Sequence, residues 1–313
     1  MRGIRCAGAA LVVMSFMLGS LVVGMTPATA ATGDTVTTII ADRGPDSTCK
    51  STDPAGDHGG VGTGIAFDGT DLILSCWGSN ELVYVNATTG AFIKRVLITG
   101  GANFGAMAYD GVNHVLWVCN NEADIGTVDL TAGTYTKAFS TAGCVDGLAW
   151  DGVDNTIWES PDASVDVYHY QPNGTLIHHF TVNLDGHGNS GIAVGGSTLY
   201  LGNDGGGEIF SSDKTLTAPA VFIGTAKTGG RRVEDMECDN VTFASQGKAV
   251  MWSQDAYDNI LNAYEIPNGS CNFGGGVTTT TTTTTIAAPT TTAHTTTTAA
   301  AALAVAATPA FTG

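Results

Sequence analysis

The chain has 313 residues, with 12 Lys and Arg against 29 Asp and Glu, for a formal net charge of −17. That balance excludes nucleic acids and anionic membrane surfaces as partners, because both select for clustered Lys and Arg. Gly is abundant, at 42 residues, and the acidic balance fits a soluble extracellular protein.

Residues 1–30 read as a secretory signal. Arg2 and Arg5 give a positive start, ALVVMSFMLGSLVVGM an apolar core, and ATA at 28–30 small residues for cleavage. The core is about 16 residues, short for a bilayer span. Its removal leaves 10 basic and 29 acidic residues, a charge of −19. Cys6 leaves with the signal and six cysteines remain, at 49, 76, 119, 144, 238 and 271. An even number in an exported chain suits disulfides, and no CxxC spacing offers a zinc or redox site.

The segment TVTTIIAD at 35–42 is an isolated strand pattern, followed by the loop-like RGPDSTCKSTDPAGDHGGVG. After it one phrase recurs. Gly64 opens GIAFDGTDLILSCW, Gly105 opens GAMAYDGVNHVLWV and Gly147 opens GLAWDGVDNTIW; Gly191 opens GIAVGGSTLYLG and Asp235 opens DMECDNVTFASQGKAVMW. The spacings are 41, 42, 44 and 44 residues. A period near 40 marks propeller blades or another repeat array. In the first unit, four short apolar runs (GIAF, DLILSCW, ELVYV and FIKRVLI) are separated by DGT, GSN and NATTG. Turn residues between short runs rich in Val, Ile, Trp and Tyr indicate antiparallel strands, and no 3.6-residue period persists.

The fold expected is therefore all-β, a β-propeller of five four-stranded blades, occupying residues 31–275. Small residues open the first strands of the four units that begin with Gly, where strands crowd about the axis. The last unit supplies EDMEC, KAVMWS and ILNAYEIP but no fourth strand. The strand at 35–42 is spare, so it should close blade five from outside and remove the exposed edge. From Val277 the sequence collapses to Thr, Ala and Pro with no charged residue. This low-complexity segment, 276–313, cannot bury a core and reads either as a disordered tail with no role beyond solubility or as an extended stalk. Its end, TPAFTG, resembles a weak bacterial sortase signal, which would make the stalk a route to cell-wall attachment.

The phrasing GLAWDG, NTIW, VDVYHYQPNGTLIHHF resembles NHL- and YVTN-type bacterial propeller repeats. It is also similar to blades of the gluconolactonase and virginiamycin-lyase superfamily. The likeness covers residues 35–270. The nearest text to a YVTN signature, Tyr84-Val85-Asn86, falls on a third strand instead of a second. The resemblance implies a site at the channel mouth, where gluconolactonase-like enzymes hold a divalent ion with acidic and amide side chains. Those enzymes usually have six blades.

The mouth should be lined by residues before each first strand and after each second strand. The former are Asn103, Asp146, Asn189, Glu234 and Asp235; the latter are Asn120, Asn121, Glu122, Asp162, Asn203, Asp204 and Asp255. Oxygen donors from Asn103, Asp146, Asn189 and Glu234 could hold Ca2+, which takes six to eight of them. Asp and Asn are equally the ordinary residues of tight turns. Arg231 and Arg232 precede blade five at the same mouth and could clamp an anionic group or pair with nearby acids. His187 is a candidate base there or a solvated loop residue, and no hydrolase, zinc-protease, P-loop or EF-hand motif is present. The blade map pairs Cys49 with Cys76, Cys119 with Cys144 and Cys238 with Cys271. Sequons begin at Asn86, Asn173, Asn240 and Asn268. Two functions remain open: a secreted or surface-displayed module binding an extracellular protein, peptide or glycan, and a metal-dependent lactonase-like or lyase-like enzyme.

Overall fold

The computed structural model describes residues 32–49, 62–225, 232–255, 259–267 and 271. The signal segment, the 276–313 stalk, Arg231 and the sequon at Asn268 lie outside them. The first strand is β1 (Thr35–Ile40). Blade one is β2 (Ile65–Phe67), β3 (Asp71–Ser75), β4 (Glu81–Asn86) and β5 (Phe92–Leu97). Blade two is β6 (Phe104–Asp110), β7 (Val115–Asn120), β8 (Asp124–Asp129) and β9 (Thr134–Ser140). Blade three is β10 (Gly147–Asp151), β11 (Thr156–Ser160), β12 (Asp166–Tyr170) and β13 (Leu176–Thr181). Blade four is β14 (Asn189–Gly195), β15 (Thr198–Asn203), β16 (Glu208–Asp213) and β17 (Val221–Thr225). Blade five holds β18 (Val233–Asp239), β19 (Ala249–Asp255) and β20 (Ile260–Ile266), with a 3-10 turn at Ala244–Gln246 after β18. Its sheet is completed by β1, in the order β1-β20-β19-β18. Thr37 pairs with Ala263 and Ile40 with Ile260, so the front of the domain closes the ring as the spare strand implied.

Each first strand packs against those of the neighbouring blades, and β18 meets β2 to complete the circle. Five apolar clusters fill the five gaps between blades. The pleat assigns residues alternately to them. On β3, Leu72 and Leu74 face blade five while Ile73 faces blade two. On β11, Ile157 faces blade two and Trp158 faces blade four. Second strands are thus apolar on both faces, whereas outer strands such as β5 and β13 alternate half-buried and exposed residues.

The repeated phrase now has a mechanical reading. A Cβ on Gly105 would lie 2.5 Å from the Val145 carbonyl oxygen, and one on Gly147 2.5 Å from that of Ser190. Only glycine allows adjacent inner strands to approach so closely. In blades one, two, three and five an Asp at the end of the first strand folds the next turn. Asp151 accepts from the Val153 N–H at 3.1 Å, and Asp239 from those of Val241 and Thr242 at 2.8 and 2.9 Å. The second carboxylate oxygen takes the indole N–H of the following strand, Trp158 to Asp151 at 3.4 Å and Trp252 to Asp239 at 3.0 Å. Aspartate, turn and tryptophan form this latch in blades three and five.

All three disulfides pair as the blade map required, with Cα separations of 5.7 Å for Cys49–Cys76 and 5.6 Å for Cys119–Cys144 and Cys238–Cys271. These are ordinary disulfide spans.

Blade five differs at the axis. Where other first strands carry small or apolar residues, β18 carries Asp235. This fully buried carboxylate accepts from the backbone N–H of Ile65 at 3.0 Å, Met107 at 2.9 Å and Leu148 at 3.3 Å, one from each of blades one, two and three. Burial pushes its pKa well above the usual carboxylate range, against the pull of those N–H donors. Glu237, further along, accepts from the Tyr109 N–H at 3.3 Å. D235A would strip the acceptor from three buried N–H groups, a loss of about 3–6 kcal/mol in urea unfolding. D235N keeps one oxygen and should lose less. An alanine variant as stable as the wild type would show that the axial carboxylate is dispensable.

Candidate functional site

The mouth is built by the residues that follow second strands and precede first strands. Trp77 follows β3, Asn121 and Glu122 follow β7, and Pro161 and Asp162 follow β11. The Cys49–Cys76 and Cys119–Cys144 bonds fix the first two of these corners. The Cys144 N–H also donates to the Glu122 carbonyl at 2.7 Å. Asn121 and Glu122 both hold left-handed backbone, φ 52° and 65°, a cost of about 1 kcal/mol each that these ties sustain. Together the corners surround a cavity of about 520 Å3. Its lining comes from blades one, two, three and five, including Trp77, Asn121, Glu122, Asp146, Asp162 and Arg232.

The floor is an acid pair under a guanidinium. Asp146 and Glu234 are both buried, both lie against Arg232, and each perturbs the other's titration. Two carboxylates can meet only if a proton lies between them. Glu234 carries it: burial, then the charge of Asp146, pushes its pKa well above the usual range. Burial also pushes Asp146 up, to about 6, while the bond from Glu234 and the charge of Arg232 hold it down. The Ser190 hydroxyl donates to Asp146 at 2.7 Å. Arg232 donates through Nε to Glu234 and through Nη1 to Asp162 at 2.6 Å, with Nη2 3.8 Å from Asp146. Burial pulls its pKa down, but the three surrounding acids raise it further, so it stays charged.

Of the four residues expected to hold Ca2+, the structure brings only Asp146 and Glu234 together. Asn103 donates its amide to Asn121 Oδ1 at 2.9 Å. Asn189, its orientation assigned from its neighbours, accepts from the Ser160 hydroxyl at 2.7 Å and donates to the carbonyls of Gly191 and Gly202 at 2.9 and 3.1 Å. Asn203 closes its own turn, accepting from the Gly206 and Glu208 N–H groups at 3.1 and 3.0 Å. Asp204 pairs with His187 at 3.3 Å, away from the cavity lining. The backbone of Asp255 pairs with Val233, and its side chain is outside the described atoms, as is Arg231. The cation against Asp146 and Glu234 is the Arg232 side chain. Among the described residues no three His, Cys, Asp or Glu side chains form a metal-binding group. These donors do not fit a calcium shell of six to eight oxygens.

Trp77, Pro161 and Ser190 escaped the sequence reading. Trp77 holds the repeat position taken by Asn121 in blade two, so aligning the units would have found it. Arg232, named with Arg231 in the sequence, is the member of the pair that reaches the acids.

No protein-family model matches the chain, and no curated protein matches it. Solved structures do. The chain is similar to one from a nidogen/laminin complex at 12% identity, TM-score 0.44, over 62% of this chain and 72% of that one. It is similar to a streptogramin B lyase at 13% identity, TM-score 0.41, over 66% and 65%. It is similar to virginiamycin B lyase from Staphylococcus aureus at 14% identity, TM-score 0.41, over 70% and 69%. Likeness this distant carries no function across. The sheets themselves define the class, a five-bladed β-propeller with three disulfides.

The acid pair makes stability depend on pH. Its pKa values are raised on folding, Asp146 from 3.8 to about 6. Its contribution is therefore complete below about pH 4 and is lost as pH rises through about 6. The Tm advantage of the wild type over D146N/E234Q should be larger at pH 5 than at pH 8. An advantage that stays constant or grows with pH contradicts the shared proton.

Proposed function

We propose that the protein is an extracellular binding module whose ligand docks at the mouth. The observation that carries this reading is the cavity of about 520 Å3, which sets an indole and exposed polar edges on a rigid ring. A half-buried tryptophan beside amide and carboxylate groups is the composition of a recognition site, and the disulfide-tied corners hold it preformed. Residues 1–30 direct export, and the three disulfides suit an oxidising compartment. No helix among the described residues is long and apolar enough to cross a membrane.

The Thr-rich segment after the domain serves as a stalk. Cys271 is the last described residue before it. It is bonded to Cys238, toward the end of β18 remote from Glu234. The stalk would space the domain from an anchor, and the mouth would take an extracellular protein, peptide or glycan. The metal-dependent enzyme reading draws no support from the donor set at the mouth.

Screening the full mature chain against arrays of extracellular peptides and glycans tests the proposal. W77A should weaken any specific ligand about tenfold or more, the usual effect of truncating an aromatic anchor, without lowering Tm by more than a few degrees. Ligands bound equally by wild type and W77A place recognition elsewhere on the ring.

A further inference from the structure

We infer that the mouth takes a cationic group, a lysine ammonium or arginine guanidinium of a peptide ligand, held against Trp77 by Glu122 and Asp162. The inference rests on the binding reading above and narrows it to one ligand chemistry.

The cavity already holds one such group from its own chain. Arg232 contacts Asp146, Asp162 and Glu234, so the floor carries the charges that hold a guanidinium. That internal cation does not neutralise the cavity. Arg232 offsets the single charge of the proton-sharing floor pair, which leaves Asp162 and Glu122 in excess. The Asp162 side chain keeps 53% of its surface exposed although it pairs with Arg232, so it can accept from a second donor. Glu122 is exposed and forms no ion pair among the described residues. The excess charge excludes anionic ligands and attracts cations, and the −17 of the whole chain adds to the attraction.

The walls fit the rest of a basic side chain. Trp77 and Pro161 give apolar surface for a methylene stem, and the indole face attracts the cationic head. A peptide also brings carbonyls. Asn121 spends its Oδ1 on Asn103, which leaves its amide N–H groups, exposed at the rim, to donate to such a carbonyl. A free diamine would use the acids and the indole but not Asn121, so the two sources of the same cation can be told apart.

The full mature chain would be titrated with acetylated, amidated pentapeptides carrying a central Lys, Arg or Glu, with putrescine, and with a neutral oligosaccharide. Heat and the Trp77 indole N–H resonance are both read. The Lys and Arg peptides should bind and shift that resonance, the Glu peptide should not, and affinity should fall several-fold between about 0.05 and 0.5 M salt. E122Q/D162N should weaken binding about tenfold, two partly exposed charges at roughly 0.5–1 kcal/mol each. D129N/D213N, the same charge change on the opposite hairpins, should leave it unchanged. Putrescine binding as tightly as the peptides supports the cation and assigns it to a free amine. Equal weakening by both double variants means attraction to the whole acidic surface and overturns the site. Oligosaccharide binding through Trp77 without basic-peptide binding overturns the cation while leaving the mouth as the recognition face. Failure of every probe overturns the inference.

Discussion

A single carboxylate on the axis satisfies the inner edges of three blades. In a propeller the first strand of each sheet has no ladder partner on its inner side, so its N–H groups point toward the axis and need acceptors. Water fills this role in a wide channel. Here the strands are too close, as the glycine contacts show, and the acceptor is Asp235. Ile65, Met107 and Leu148 are equivalent positions on β2, β6 and β10, so one side chain serves one repeated backbone site three times. The ring is built of similar units but clasped by the blade that departs from the pattern.

The mouth depends on the same strand. The pairing of β18 with β19 shifts register between Val233 and Asp235, and similar shifts occur at the starts of β6 and β14. An extra residue at this point re-aims the side chains on either side of it. Glu234 therefore meets Asp146 and Arg232 at the mouth, while its neighbour Asp235 turns to the axis. Clasp and floor are adjacent residues, and both bury acid that the rest of the ring must compensate. The desolvation cost is offset by N–H donors for Asp235 and by a shared proton and a guanidinium for Glu234.

Much of this was legible in the sequence because it is written in repeats. The period gave five units, the missing outer strand of blade five matched the spare strand at Thr35–Ile40, and the strand-end positions of six cysteines gave three bonds. The floor was legible only in part. Asp146 and Glu234 were both placed at the mouth, but their meeting depends on the curvature of the ring, which spacing does not encode. Asn189 and Asn203 have the composition of ligands and the geometry of turn and strand fasteners, two roles that use the same amide chemistry. Trp77 was hidden because a tryptophan at the end of an apolar strand reads as core. The role of Asp235 was invisible for a different reason: beside Glu234 it reads as one more acid of the mouth, and only the convergence of three foreign N–H groups turns it to the axis.

Amide hydrogen exchange measured residue by residue tests the axial clasp most directly. The N–H groups of Ile65, Met107 and Leu148 lie outside every sheet ladder, so without the carboxylate they would exchange like surface amides. With it they should exchange only on global unfolding, as slowly as the ladder amides of the second strands, and should all accelerate together in D235A. Fast exchange at these three positions in the wild type, or acceleration at only one of them in the variant, would contradict a ring held by Asp235.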